Sequence, residues 1–223
     1  MKPTDYALGC ALRENAPFFF LMLLFLLAGA GLLLAIEQGD AVLYFNDWRG
    51  GPADHFFVLV NWLGDGLVFV PAVVAMLFYR YRFAATLPLL GLSVSFFTQS
   101  AKRLFGHPRP FAYFKDINLL EQVIAVEGVT PHGGMNSFPS GHTMTAFALF
   151  TFLALCLPYK RWLGPLFFLL ALLAGLARIY LVQHFLKDVY LGALMGVALA
   201  LFWYLLQYWI WPEPHRRMDG RLV

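Results

Sequence analysis

At 223 residues the chain is long enough for one domain and short for two. Hydrophobic residues make up 60% and charged residues 13%, against roughly half and a quarter in an average soluble domain, which argues against an ordinary water-soluble fold. The net charge of +3 arises from Lys and Arg scattered along the chain, not gathered in a stripe, which argues against nucleic acid as a partner.

Six apolar stretches follow in chain order, at about 17–36, 54–79, 83–101, 141–157, 162–180 and 187–210. The first, PFFFLMLLFLLAGAGLLLAI, runs for 20 positions without a charge. A helix of about 20 residues spans roughly 30 Å, the hydrocarbon thickness of a bilayer. Lys2, Asp5, Arg13 and Glu14 precede this block, which is too long for a typical signal peptide and reads as an uncleaved anchor. Ala7-Leu8-Gly9-Cys10 has the outline of a lipoprotein cleavage box, but no apolar stretch precedes it. Backbone polar groups cannot stay unpaired in lipid, so each stretch is predicted to be a helix. The expected fold class is all-α, a six-transmembrane helical bundle. It forms a single domain over 1–223 with its core at about 54–210. Residues 1–16 and 212–223 are cytoplasmic ends, the second of them disordered.

Orientation follows from the positive-inside rule. With the N-terminus inside, the cytoplasmic segments hold Lys2, Arg13, Arg80, Arg82, Lys160, Arg161, Arg216, Arg217 and Arg221, nine of the 16 basic residues. Two cysteines, Cys10 and Cys156, make no disulfide framework and are read as free cytoplasmic thiols.

Three polar clusters punctuate the spans: KRLFGHPRP at 102–110, PSGH at 139–142 and RIYLVQHFLKD at 178–188. Counting crossings puts all three on the outer face. Lys102, Arg109 and Arg178 held together would repel one another unless an anion filled the gap. Arg matches a phosphate with a planar fork and Lys with a point charge. Ser140 is placed to cap a helix whose free N–H groups make an anion site, and Gly141 permits close backbone approach. His184 and Asp188 are four apart, on one face if the segment is helical. The carboxylate would then fix the imidazole tautomer and leave the other nitrogen free to attack. His142, arriving from another helix, could protonate the departing oxygen. No metal or other cofactor is required, because the cations take over the electrostatic role of a metal.

The pattern K-x6-R-P, P-S-G-H, R-x5-H-x3-D resembles that of the type 2 phosphatidic acid phosphatase (PAP2) family, which also contains the vanadium haloperoxidases. The likeness covers roughly residues 54–210. It implies Lys102, Arg109, Ser140, Gly141 and Arg178 as phosphate ligands, His184 as nucleophile, Asp188 as its partner and His142 as general acid. The family usually has Ser before the third-motif Arg. Here the residue is Ala177, which bears on rate or substrate preference.

The remaining signals are blander. His55, His107, His132 and His215 take a structural default. Lys187 is assigned to lipid headgroups, and Arg103 is left open. Asn61 and Asp65 lie inside the second span; they are either functional or part of a Gly64-Asp65-Gly66 break in which Asp65 caps backbone. Gly29 with Gly31, and Gly192 with Gly196, suit close helix contact, and one GxxxG copy does not set an oligomeric state. Residues 111–138 are read equally well as a headgroup pocket, a lid or a covering loop.

The expected function is phosphate release from a lipid headgroup in a bacterial inner membrane, at a site facing the periplasm. Undecaprenyl diphosphate, lipid A, phosphatidylglycerol phosphate and phosphatidic acid are the candidate substrates. A lipid phosphotransferase using the same phosphohistidine is the first alternative. A non-catalytic anion-binding or transport protein is the second, and has no use for His184 or its orienting acid. A haloperoxidase fits six spans poorly.

Overall fold

The computed structural model describes Gly9, residues 11–212 and residues 217–222. Among these the chain is all helix and loop, with no strand. Helix α1 (Ala16–Ala35) buries only Phe18, Met22 and Gly29, and Phe20, Leu27 and Leu34 stand exposed along it. An apolar helix with so little covered needs a nonaqueous surround. A short α2 (Asp40–Tyr44) leads through a 3₁₀ turn to α3 (Gly51–Asn61) and α4 (Phe69–Leu77). Helix α5 (Tyr81–Phe105) ends on Gly106, whose φ of 57° supplies the left-handed cap. Then come α6 (Pro110–Asp116), α7 (Gly141–Cys156), α8 (Lys160–Tyr180) and α9 (Leu186–Ile210).

Four helices, α1, α5, α8 and α9, are long and apolar enough to cross a membrane. The second stretch differs from the single span expected at 54–79. It breaks at Asp65 into two limbs bent by 63°. The cause is local: Asp65 is extended and its carboxylate accepts a hydrogen bond from Leu67 N at 2.8 Å, capping the turn that follows. Counting the bent pair as one crossing makes five. The remaining apolar stretch, α7, has 16 residues, about 24 Å at 1.5 Å per residue.

Helix α7 is buried on all sides, which is why its apolar residues show no helical stripe. It lies between α8 and α9, with α5 against it as well. The grip of α9 depends on glycine. A Cβ at Gly192 would sit 2.7 Å from Ser140 O, and one at Gly196 would sit 2.6 Å from Met144 O. Gly192 and Gly196 therefore serve contact within the chain. Gly29 packs on the ring of Tyr190, whereas Gly31 meets nothing.

The C-terminal segment departs from the expected disordered end. Residues 217–222 fold back onto the start of α5, where Tyr81 N donates to Gly220 O and Arg82 N donates to Met218 O, both at 2.9 Å. Leu222 N donates to Leu77 O at 2.8 Å. These carbonyls satisfy first-turn amides that a helix leaves unpaired. Arg82, fully buried, forms an ion pair with Asp219 at 2.6 Å. Cys156 is a buried free thiol; Cys10 and His215 fall outside the described residues.

Candidate active site

The ends of α5 and α8 and the starts of α7 and α9 meet at one end of the bundle and bring the three polar clusters together. Ser140 N donates to Asp188 O at 3.0 Å, so the second cluster is bonded directly to the third. Ser140 is the N-cap of α7, its hydroxyl accepting from Thr143 N at 3.4 Å and from the Thr143 hydroxyl at 2.8 Å. Gly141 faces Thr98 of α5, to which a Cβ would come within 3.0 Å.

His184 and Asp188 meet, but not as residues of one helix face. Helix α9 starts at Leu186, and His184 lies in the turn before it. Asp188 sits in the first turn, where Oδ2 accepts from Phe185 N at 2.9 Å. An acid in that place satisfies an orphan amide and favours the helix dipole. The same oxygen lies 3.3 Å from His184 Nδ1. Ser137 Oγ donates to it at 2.5 Å and stands 3.4 Å from the imidazole. Asp188 Oδ1 is buried with no hydrogen-bond partner among the described residues. Nδ1 being turned to the carboxylate, Nε2 is the nitrogen left for a ligand.

His184 is 1% exposed. Burial holds its imidazole well below the ordinary histidine value, and its hydrogen bond to Asp188 opposes that shift without cancelling it. The ring is therefore neutral at neutral pH.

The cations converge as expected. Lys102 lies within electrostatic range of Arg109, Arg178 and Asp188, and His142 within range of Arg178, His184, Lys102 and Arg109. Arg109 is held by partners that no motif marks, and Arg178 by Asn61, which the sequence had left open. Arg109 Nε donates to Asn136 Oδ1 at 2.7 Å, and its Nη1 donates to Gln183 Oε1 at 3.3 Å. Arg178 Nη1 donates to Asn61 Oδ1 at 2.6 Å. The break at Asp65 explains this reach. It lets Gly64 abut His142, with a Cβ at 64 only 2.8 Å from His142 O. Asp65 thus caps backbone, as one of the two open readings has it, and Asn61 is hydrogen-bonded to Arg178.

Asn61→Ala should raise KM and lower kcat/KM by roughly tenfold or more, the worth of a hydrogen bond to a charged group, with unchanged thermal unfolding. An unaltered KM would show that Arg178 needs no such support.

A second network braces the third cluster from behind. Arg49 Nε and Nη2 both donate to Tyr180 O, at 3.1 and 2.9 Å, covering the carbonyl end of α8. Tyr180 OH donates to Asp54 Oδ1 at 2.5 Å. No motif marks Arg49. Lys187, assigned to headgroups, instead donates to Gln38 Oε1 at 2.6 Å and lies 3.4 Å from His107 Nδ1. Ala177 is fully buried.

The chain is similar to several known proteins. "Lipid phosphate phosphatase 1" of Arabidopsis thaliana is 34% identical over 178 residues, 66% of this chain and 53% of the relative. "Putative undecaprenyl-diphosphatase YbjG" of Escherichia coli is 29% identical over 146 residues, 62% of this chain and 67% of the relative. The crystal structure of Aquifex aeolicus LpxE superposes with a TM-score of 0.63 at 31% identity, over 74% of this chain and 93% of that one. The chain spans about half the length of the plant relatives it matches. The family model described as "PAP2 superfamily" matches residues 83–212, the stretch that carries all three clusters, and the chain is therefore a member of that superfamily.

Proposed function

We propose that the chain is an integral membrane lipid phosphatase that cleaves a lipid phosphate or diphosphate through a phosphohistidine. The observation that carries the reading is the buried His184, tied at Nδ1 to Asp188, with Nε2 left free and with Arg178 and Arg109 within electrostatic range. Lys102, Arg109, Arg178 and the first amides of α7 at Gly141 and His142, behind the Ser140 cap, hold the phosphoryl oxygens. Nε2 of His184 attacks phosphorus and the bond to the lipid oxygen breaks, with His142 giving that oxygen its proton. Asp188 balances the charge left on the phosphorylated imidazole. Water, deprotonated by His142, then attacks the same phosphorus and frees inorganic phosphate and His184. Phosphate release from a panel of purified lipid phosphates in detergent tests the reading. Undecaprenyl diphosphate, lipid A, phosphatidylglycerol phosphate and phosphatidic acid belong on the panel, and no release from any of them overturns it.

The same reading makes α1, the bent α3–α4 pair, α5, α7, α8 and α9 the six crossings, with both chain ends in the cytoplasm and the site at the periplasmic face of a bacterial inner membrane. A reporter enzyme fused after Val223 should be active only if it folds in the cytoplasm. A fusion active only as a periplasmic reporter would reverse the orientation and move the site with it.

Activity should survive chelators, since Lys102, Arg109 and Arg178 supply the positive charge that a metal would bring. Vanadate should inhibit, because its trigonal form imitates the phosphoryl group in flight. Activity abolished by chelator and restored by Mg²⁺ would refute the mechanism.

A further inference from the structure

Between α6 and α7 the chain passes over the site as a loop that meets it through Asn136, Ser137 and Ser140. Part of that loop is an arch. At one foot Thr130 O accepts from Gln183 Nε2 at 3.2 Å. At the other Gly134 O accepts from Arg109 N at 2.9 Å. Gln183 itself accepts from Arg109 through Oε1, so both feet stand on the residue that is assigned to phosphate. His132 is the middle of the arch, two residues from either foot. Two residues of chain reach at most about 7 Å, which keeps His132 beside the cradle. Behind it Gly133 abuts Phe111, to which a Cβ would come within 3.4 Å. The His132 side chain is exposed.

Charge points the same way. Partial burial first, and then Arg109, Arg178 and Lys102, lower the proton affinity of His132 below the ordinary histidine value. A field that repels a proton attracts an anion at the same place. A cavity between α3 and the loop at 126–128 does not compete. Asp54 and Glu127 line it beside His55 and Trp62, and two carboxylates repel phosphate.

We propose that His132 binds the second phosphate of a lipid diphosphate, the one that stays on the lipid after the terminal phosphate is cut. The inference rests on the phosphatase reading and deepens it. Three cations and the α7 amides suit one phosphoryl group. A diphosphate places a further anion just outside them and needs a donor there. An arriving phosphate raises the proton affinity of the imidazole, which takes up a proton and becomes a charge-assisted donor. A lipid monophosphate has nothing at that position to bind.

Farnesyl diphosphate and farnesyl monophosphate share one tail and make the comparison. His132→Ala should lower kcat/KM on the diphosphate by roughly tenfold or more, as expected for losing a hydrogen bond to a charged group, and leave the monophosphate within about twofold. His132→Gln keeps a donor and should recover part of the difference; His132→Phe should not. An unchanged ratio in His132→Ala overturns the proposal. That includes equal loss on both esters, which is what an arch that merely steadies Arg109 would give. A wild-type protein that cuts only the monophosphate overturns it as well. Release from neither ester while another lipid of the panel is cut overturns the proposal too, and release from no lipid at all is the failure of the phosphatase reading itself.

Discussion

His184→Ala should abolish turnover on every substrate, by on the order of 10⁴-fold or more, as removal of a nucleophile does elsewhere. The imidazole is replaced by a methyl group that cannot attack, and the neighbouring Asp188 Oδ2 is already engaged by Phe185 N and Ser137 Oγ. Binding should survive, because Lys102, Arg109 and Arg178 remain. The variant should therefore keep its affinity for inorganic phosphate while losing catalysis. Rapid quenching of wild-type protein with labelled substrate should trap an acid-labile phosphoryl group on His184, and the variant should trap none. Residual activity within a hundredfold of wild type, or label on another residue, would place the nucleophile elsewhere.

His142→Ala should separate substrates by leaving group. General acid catalysis contributes about 10²–10⁴-fold, so the loss on a lipid monophosphate, whose alkoxide leaves poorly, should fall in that range. An aryl phosphate leaves as a stabilised anion and should lose clearly less, with a lipid diphosphate between the two. The substitution is structurally mild, because the contact of residue 142 with Gly64 is made by its carbonyl and Cβ, which alanine retains. A burst experiment must first show that forming the phosphohistidine limits the rate. Equal damage on all three substrates under that condition would make His142 a phosphate ligand instead of an acid.

Acid should weaken the folded protein through His184. Its proton affinity is depressed in the fold, so below the ordinary histidine value the unfolded chain binds more protons than the native one. Stability therefore falls as pH drops through that range.

Several features were legible along the chain because they are local. An unbroken apolar run predicts a helix by the demand for paired backbone in lipid, and α1, α5, α8 and α9 lie where those runs lie. Ser140 caps α7 because a cap and the amides it serves are three residues apart. His184 and Asp188 meet because they are four apart, although the reason is a first-turn acid folding back over the start of α9. Lys102, Ser140 and Arg178 lie at ends of α5, α7 and α8 that meet, and their positions at the ends of apolar runs were readable from the sequence.

What only the tertiary structure decided are contacts across long stretches of chain. Asn61 reaches Arg178 over 117 positions, Gln183 reaches Arg109 over 74, and Arg49 reaches Tyr180 over 131. No periodicity or spacing encodes such pairs. They depend on the bend at Asp65, on the packing of α9 against α7 through Gly192 and Gly196, and on the path of the loop that carries Asn136 and Ser137. The docked tail at 217–222 belongs with them, since its polar composition reads as solvated until the open amides of α5 offer it partners. Local chemistry sets which residues can react, whereas the angle between two halves of a broken helix sets which neighbours hold them in place.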